Sequence, residues 1–532
     1  MTIKHLLLGD EAFALGAINA GLSGAYAYPG TPSTEILEFI QGDTTARARG
    51  IHSHWSSNEK TAVESALGMS FCGKRAIASM KHVGLNVAAD PFVNSAMTGA
   101  NGGLIVVSAD DPSMHSSQNE QDSRFYGAFA LLPVLEPSDQ QEAYDMAAYG
   151  FDLSERFGVP VLLRLVTRLS HSRAVVAVDS EARAENTLHY PANRPQWVLM
   201  PGNSRRRYPE LIKTYASLAL NSESAPYNKY IDAPDKSTGI IASGIAYNYV
   251  MEAFGGRCPY PVVKISQYPL PMDMLRRLAA GCARVVVVEE GQPFIEQSLN
   301  GLAGCVEGKL SGRLPRTGEL TVDDVRRAFG LPVHSGLPKP ELVLPRPPAL
   351  CQGCGHRDVY NALNRALAAY PSPKVFGDIG CYTLGYLAPF KAIDTVVDMG
   401  ASITMAKGAA DAGQHPAVAI IGDSTFTHSG MTGLLDAINE NSPITVIISD
   451  NLTTGMTGGQ DSQGTGKLRE ICLGLGADPE HTISMESLPR NVEQMEEVFR
   501  REIDYPGLSV ILSARECIQT ARRHVTAKTE KK

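Results

Sequence analysis

Residues 417–425 read AVAIIGDST, and residues 444–451 read ITVIISDN. Each is a short, unbroken apolar run that ends in small and acidic residues. Such runs mark strands buried on both faces, as in a parallel sheet. The pattern predicts strands over 417–422 and 444–450, with a helix over 431–439 between them. One strand–helix–strand unit would set the two carboxyl ends about 5 Å apart. Ligands of open parallel sheets bind beyond those ends. Asp423 supplies a carboxylate there and Asn451 a side-chain carbonyl, the oxygen donors a Mg²⁺ ion wants when it also holds phosphates. Gly422 would let backbone approach a diphosphate. The loop TTGMTGG (453–459) adds further backbone groups. The plainer alternative is two ordinary strand–helix turns.

Moving outward, the same rhythm of short β-rich run, turn and helical pattern recurs, which is the mark of α/β architecture. In the first third, strands are expected at 25–28, 104–108 and 159–165, and helices at 33–40 and 58–71, the latter capped by Asn58. A middle unit has expected strands at 239–242, 262–265 and 284–289, and helices at 246–254, 272–280 and 293–302. The last third has expected strands at 374–377 and 508–514 and helices at 358–369 and 402–412, besides those above. Prolines 191, 195, 201, 209, 226 and 234 break the rhythm, so 191–236 reads as a linker or extended arm. A second proline-rich stretch, 337–348, precedes the last third. Three α/β units are therefore expected.

Composition narrows the function classes. The 532 residues carry a net charge of −8 with both signs scattered, which argues against a nucleic-acid surface. Only the end, from Arg522, is basic, and a frayed tail explains it. No stretch approaches the roughly 20 apolar residues of a membrane span. Asp10 and Glu11 interrupt the apolar start, so no signal peptide is expected. Nine cysteines, sparse and odd in number, suit a reducing cytoplasm.

Longer runs carry more specific information. YPGTPSTEI (28–36), WSSNEKTAVESALG (55–68), MKHVGLNVAADP (80–91), SADDPSMHSSQNEQDSR (108–124), LLRLVTRLSHSR (162–173), CQGCGH (351–356), DMGASI (398–403) and TGMTGGQ (454–460) are colinear with one family. They resemble the large subunit of the indolepyruvate:ferredoxin oxidoreductase family, among the thiamine-diphosphate (TPP)-dependent 2-oxoacid oxidoreductases. The GDS and DN pieces stand where that signature has GDG and NN.

The resemblance implies three parallel-sheet α/β domains: a pyrimidine-binding domain (1–190), a transketolase-C-terminal-like domain (237–336) after the 191–236 arm, and a diphosphate-binding domain (345–520), followed by the tail 521–532. TPP would lie between the first and last. It implies Mg²⁺ held by Asp423, Asn451 and the Thr453 carbonyl, with Gly422, Ser424, Gly455 and Thr457 around the diphosphate and Asp378 and Cys381 lining the same domain. Glu59 would be the acid facing the pyrimidine, where a carboxylate promotes the tautomer that activates the cofactor. Read without the resemblance, Glu59 is a first-turn Glu favoured by the helix dipole; Glu35, Glu64 and Glu120 are weaker candidates. Thr31, which would also touch the cofactor, and Lys81 and His82 match loops that face the substrate. The implied reaction decarboxylates an aryl 2-oxoacid, oxidises the product and passes the acyl group to coenzyme A. A smaller partner subunit and a dimer or larger hetero-oligomer are expected.

Cys351, Cys354, His356 and Cys381 invite a metal reading, whereas the resemblance places the CxGC run beside the cofactor and not in a cluster ligand set. His356 reads as a helix-start or cofactor-side residue. His115 reads as a residue that approaches the site or is buried and satisfied. Cys72, Cys258, Cys282, Cys305 and Cys472 read as small apolar residues. The family's usual large subunit continues into a ferredoxin-like segment with two cluster-binding cysteine runs. Here only Cys472 and Cys517 follow Cys381. No iron–sulfur cluster is therefore expected in this chain, and electrons would leave through a separate ferredoxin-like or flavin-containing carrier. Alternatively, the enzyme is a non-oxidative decarboxylase or carboligase. A non-catalytic scaffold is the third reading.

Overall fold

The structure is a computed structural model that describes residues 2–179, 181–299, 305–333, 336–338, 340–344 and 346–523. It divides into two compact units, Met1–Leu337 and Pro338–Lys532.

The first unit holds two main sheets. One has seven strands in the spatial order Gln267–Tyr268, Val134–Leu135, Val161–Val166, Leu104–Asp110, Ala76–Lys81, Gly24–Ala27, His52–Trp55. All are parallel except the first pairing, Gln267–Tyr268 against Val134–Leu135. Its central strands are buried along every residue, which is why they read as unbroken apolar runs. The other sheet has five strands, Val306–Glu307, Val285–Val288, Gly239–Ser243, Val262–Ile265 and Lys229–Ile231, the last antiparallel. A two-stranded ribbon pairs Thr2–Leu8 with Arg173–Asp179.

Buried charge ties the two main sheets together. Arg164, fully buried on its strand, donates to Asp110 (2.6 Å) and Glu136 (2.5 Å). Arg124, equally buried, reaches Glu289 (2.8 Å) at the end of strand Val285–Val288 and the Glu290 carbonyl (2.8 Å). Deleting one partner of such a pair typically costs about 3–5 kcal/mol, because the other charge is left buried alone.

The stretch expected to be an extended arm contains a 23-residue helix, Pro201–Glu223. Pro201 sits at its first turn, where a fixed φ and a missing N–H cost nothing. Pro209 lies inside the helix, which persists because Leu211 and Leu218 bury one face. Strand Lys229–Ile231 then joins the five-stranded sheet. The end of the helix expected over 293–302 lies partly outside the described residues, as does the basic tail from 524 onward.

The second unit is a six-stranded sheet with every pairing parallel: Thr395–Val396, Lys374–Gly377, Ala417–Gly422, Thr445–Asp450, Ser509–Ala514, Thr482–Glu486. Helices Gly355–Leu367, Ala401–Asp411, Met431–Asn439 and Val492–Asp504 cover it. The α/β architecture is as the rhythm of the sequence indicates. Among the described residues, no helix is long and apolar enough to cross a membrane.

Candidate active site

In the second unit, strand Ala417–Gly422 delivers Asp423 to the carboxyl end of the sheet. The side chain is 3% exposed, and its Oδ2 has no hydrogen-bond partner among the described residues. Burial, reinforced by the nearby Asp450 carboxylate, pushes its pKa up to about 7. The buried Ser462 hydroxyl lies beside it and opposes that rise only in part. A buried, unspent carboxylate oxygen is costly unless something occupies it. A hard cation fits that donor chemistry.

The neighbouring strand Thr445–Asp450 ends at Asn451. Asp450 Oδ1 accepts from Leu452 N–H (2.9 Å), and Asn451 Oδ1 from Thr453 N–H (3.2 Å). Leu452 takes the left-handed conformation (φ 59°), which costs a branched residue of order 1 kcal/mol or more. That turn sets Asn451 and Thr453 two residues apart in a fixed loop. Thr453 Oγ1 donates to the Gln460 carbonyl (2.9 Å), Thr457 Oγ1 to Gln460 Oε1 (2.6 Å), and Ser424 and Thr454 hydroxyls bond at 2.8 Å. The single 3₁₀ turn Gly455–Thr457 closes the loop. Asp423, Ser424, Asn451, Thr453, Gly455 and Thr457 are thus gathered at adjacent strand ends.

Gly422 and Asp378 are used differently from the expectation. A Cβ on Gly422 would lie 2.6 Å from the Tyr382 ring, so the glycine makes room for that ring. Asp378 is fully buried and spends both oxygens within the fold. One accepts the Tyr382 hydroxyl; the other accepts Gly400 N–H (3.2 Å), Ser402 N–H (3.2 Å) and Ser402 Oγ (2.7 Å). Burial raises its pKa to about 6 against those hydrogen bonds.

Four cysteines meet in the same unit. Cys351, Cys354, Cys381 and Cys517 line one cavity of about 90 Å³ together with His356 and Asn451. Cys517 N–H donates to the Asn451 carbonyl (3.1 Å), which anchors the fourth thiol. Burial, helped by the other thiols, pushes the Cys381 thiol up to about 12. The sulfurs do not lie within 4.8 Å of one another as a set, whereas four thiolates on one zinc would be about 3.8 Å apart. His356 is buried with Nδ1 on Ser449 Oγ (2.6 Å), and burial lowers its pKa to about 4. Counting cysteines along the chain does not reveal Cys517 as a neighbour of the other three.

In the first unit, three adjacent strand ends carry the other expected residues. Thr31 follows Gly24–Ala27, Glu59 follows His52–Trp55, and Lys81 and His82 close Ala76–Lys81. Glu59 opens helix Glu59–Phe71 behind the Asn58 cap, whose side chain accepts from Thr61 N–H (2.9 Å). It is 6% exposed, and a Cβ on Gly84 would sit 2.4 Å from its Oε1, so glycine there admits the acid. Lys81 Nζ donates to the Ser116 carbonyl (2.7 Å), and Ser116 Oγ donates to the Thr31 carbonyl (3.2 Å). Burial lowers the Lys81 pKa to about 8, opposed by Asp111. His82 Nε2 bonds the Asn119 carbonyl (3.1 Å) and so carries the proton. Its Nδ1 is buried without a partner among the described residues.

The other expected residues lie apart. Glu64 pairs with Lys60 on the helix surface, and Glu120 accepts from Ser113 N–H (3.1 Å). His115, expected to approach the site or to be buried, is half-exposed, 3.4 Å from Glu319. Glu35 faces His171 (3.4 Å).

Two family models match this chain. Residues 15–227 match the family described as pyruvate flavodoxin/ferredoxin oxidoreductase, thiamine diP-binding. Residues 378–512 match the thiamine pyrophosphate enzyme C-terminal TPP-binding domain. The chain is 39% identical to the indolepyruvate oxidoreductase subunit IorA of Archaeoglobus fulgidus, covering 97% of this chain and 86% of that one. With the same-named protein of Pyrococcus abyssi it is 37% identical, covering 97% and 86%. In fold it is similar to the 2-oxoglutarate:ferredoxin oxidoreductase of Magnetococcus marinus, solved with 2-oxoglutarate, coenzyme A and succinyl-CoA bound. That likeness has a TM-score of 0.50 at 15% identity, over 62% of this chain and 65% of that one. By its shared identity over nearly its whole length, this chain belongs to the family of indolepyruvate oxidoreductase IorA subunits.

Proposed function

We propose that this chain is the TPP-dependent catalytic subunit of an enzyme that oxidatively decarboxylates an aryl 2-oxoacid, of the indolepyruvate or phenylpyruvate type, to its acyl-CoA. The observation that carries the reading is Asp423. Its buried, unspent oxygen at a strand end, beside Asn451 and the Thr453 loop, suits a Mg²⁺-bound diphosphate. When bound, the cofactor would supply the electron sink that decarboxylation needs. Glu59 would hold the proton at the pyrimidine ring. Lys81, Thr31 and His82 would face the substrate, with Lys81 and Thr31 orienting its carboxylate.

The electrons need an exit. The meeting of Cys351, Cys354, Cys381 and Cys517 around one cavity, at spacings wider than zinc requires, supports a four-thiolate ligand set for an iron–sulfur cluster. That reading replaces the cluster-free chain expected from cysteine order. The relatives' designation as a subunit supports a smaller partner, with a ferredoxin-like or flavin-containing protein as the external acceptor.

The test is an anaerobic assay of the chain with its co-produced partner. Substrate- and CoA-dependent viologen reduction with acyl-CoA as product is expected, and aldehyde release without dye reduction would favour the non-oxidative decarboxylase. Glu59→Gln should lower turnover about 10²–10⁴-fold while leaving TPP bound. Full turnover in that variant would remove Glu59 from its role. Iron and sulfide should be present in the wild type and absent in Cys517→Ser.

A further inference from the structure

Asp10 lies in the first turn of helix Gly9–Asn19, is 0% exposed, and is used by nothing in the reaction proposed above. Neither of its oxygens has a hydrogen-bond partner among the described residues. Buried carboxylates are normally satisfied, and two idle oxygens on one group demand an occupant. Two other ligand types converge on it. Glu35, from helix Thr34–Gly42, and His171, at the end of helix Thr167–His171, place their ligand atoms and that of Asp10 all within 4.8 Å of one another. Glu35 Oε2 and His171 Nε2 are 3.4 Å apart. A zinc ion with O and N ligands at about 2.0–2.2 Å sets tetrahedral neighbours about 3.3–3.6 Å apart, so side-chain adjustment suffices to close this cluster on an ion.

We propose that Asp10, Glu35 and His171 form a divalent-cation site for a borderline metal of the zinc class, separate from the Mg²⁺ and thiol sites of the second unit.

Charge and access support it. Two carboxylates and a neutral imidazole balance one dication. Glu11, next in sequence, is already committed, accepting from Leu8 N–H (2.9 Å) and pairing with Arg173 (2.9 Å). Ser170 Oγ, buried beside Asp10 and close enough to lower its pKa slightly, could turn to hydrogen-bond a metal-bound water. The Glu35 and His171 side chains are about one-third exposed, which gives an ion a way in and leaves the fourth position to water. The mixed oxygen–nitrogen set favours zinc over Mg²⁺ or Ca²⁺, which take all-oxygen sites. The competing occupant is a proton: burial pushes the Asp10 pKa up to about 8, so the unmetallated acid would be neutral. The ion would join the first helix to the helix that opens three residues after Thr31.

The complete chain, purified with its partner and stripped with a chelator, is titrated with zinc alone, and bound equivalents and thermal unfolding are followed. Wild type should bind one equivalent that Asp10→Asn, isosteric but uncharged, loses. Zinc should raise the melting temperature of wild type and not of Asp10→Asn. Cobalt substitution separates this site from the cysteines, because only thiolate ligation gives an intense sulfur-to-metal absorption band. The equivalent lost in Asp10→Asn should lack that band. Should Asp10→Asn fail to fold, His171→Gln, at a partly exposed position, must lose the same equivalent. Equal zinc uptake by wild type and either folded variant, or only millimolar affinity in wild type, overturns the site in favour of a proton. None of these readouts depends on TPP binding, so failure here is distinguishable from failure of the proposed function.

Discussion

Asp378 and Asp423 begin from the same position. Each follows the carboxyl end of a strand, Lys374–Gly377 and Ala417–Gly422, and the two strands are neighbours in one parallel sheet. Both acids are buried. Yet Asp378 takes four hydrogen bonds from Tyr382, Gly400 and Ser402, whereas Asp423 keeps an oxygen that nothing described occupies. Residue type and strand position are therefore not what marks a ligand. What separates scaffold from site is whether the chain has already consumed the lone pairs. On that criterion Asp378 holds the Cys381–Tyr386 turn and the start of helix Ala401–Asp411 in place, and Asp423 keeps an oxygen free for the ligand role proposed above.

The sharpest way to break the contrast is to remove each acid. Asp378→Ala strands two buried N–H groups and two hydroxyls, each worth about 1–3 kcal/mol when unsatisfied. It should cost at least about 3 kcal/mol in denaturant unfolding. Unchanged stability together with lost cofactor retention would invert the two roles. Asp423→Asn should fold at least as well as wild type, because the charged form it removes is disfavoured by burial. Its Mg²⁺-dependent retention of TPP should fall at least about 100-fold, since even outer partners of metal ligands are worth 10–100-fold. Calorimetry with Mg²⁺ and TPP measures this; equal affinity would end the ligand assignment.

Acidity sharpens the same comparison. Asp423 binds its proton more tightly folded than unfolded, with a pKa near 7 against about 4 for a free carboxyl. Without cofactor, its contribution to stability is whole below pH about 4 and is lost as pH rises through about 7. A Mg²⁺ ion held there as proposed would have to displace that proton, so TPP retention should strengthen about tenfold per pH unit up to about 7 and then level off. Asp423→Asn should flatten that rise.

Much of this was legible in the residues. AVAIIG and ITVIISD read as buried strands, and their ends locate Asp423 and Asn451 without any coordinates, whereas Thr31, Glu59 and Lys81 stand out only through the family resemblance. Three features were not. Helix Pro201–Glu223 is disguised because proline reads as a breaker, although the first turn tolerates it and apolar burial carries the helix past Pro209. Gly422 reads as a phosphate-approach glycine, but the Tyr382 ring occupies its open side, a contact with no sequence pattern. Cys517 reaches Cys351, Cys354 and Cys381 only because strand Ser509–Ala514 lies beside Thr445–Asp450 and returns the chain to Asn451. Such non-local pairing leaves no periodic trace.

The distinction between spent and unspent groups extends to a cation, with a smaller expected effect. Lys81 gives a hydrogen bond to the Ser116 carbonyl, and its ammonium lies near enough to Asp111 to feel its charge. An ammonium has three donors, so this one retains capacity for a substrate carboxylate. Lys81→Met should therefore act on binding: KM for the 2-oxoacid should rise about tenfold, the worth of one charged hydrogen bond of about 1.5 kcal/mol, with kcat changed less. Because burial lowers the pKa to about 8, the charged form is lost as pH rises through that value, and wild-type KM should climb above pH 8 while that of Lys81→Met stays flat. A variant that instead loses kcat at constant KM would place Lys81 at the reacting atoms and make it a catalytic group in its own right.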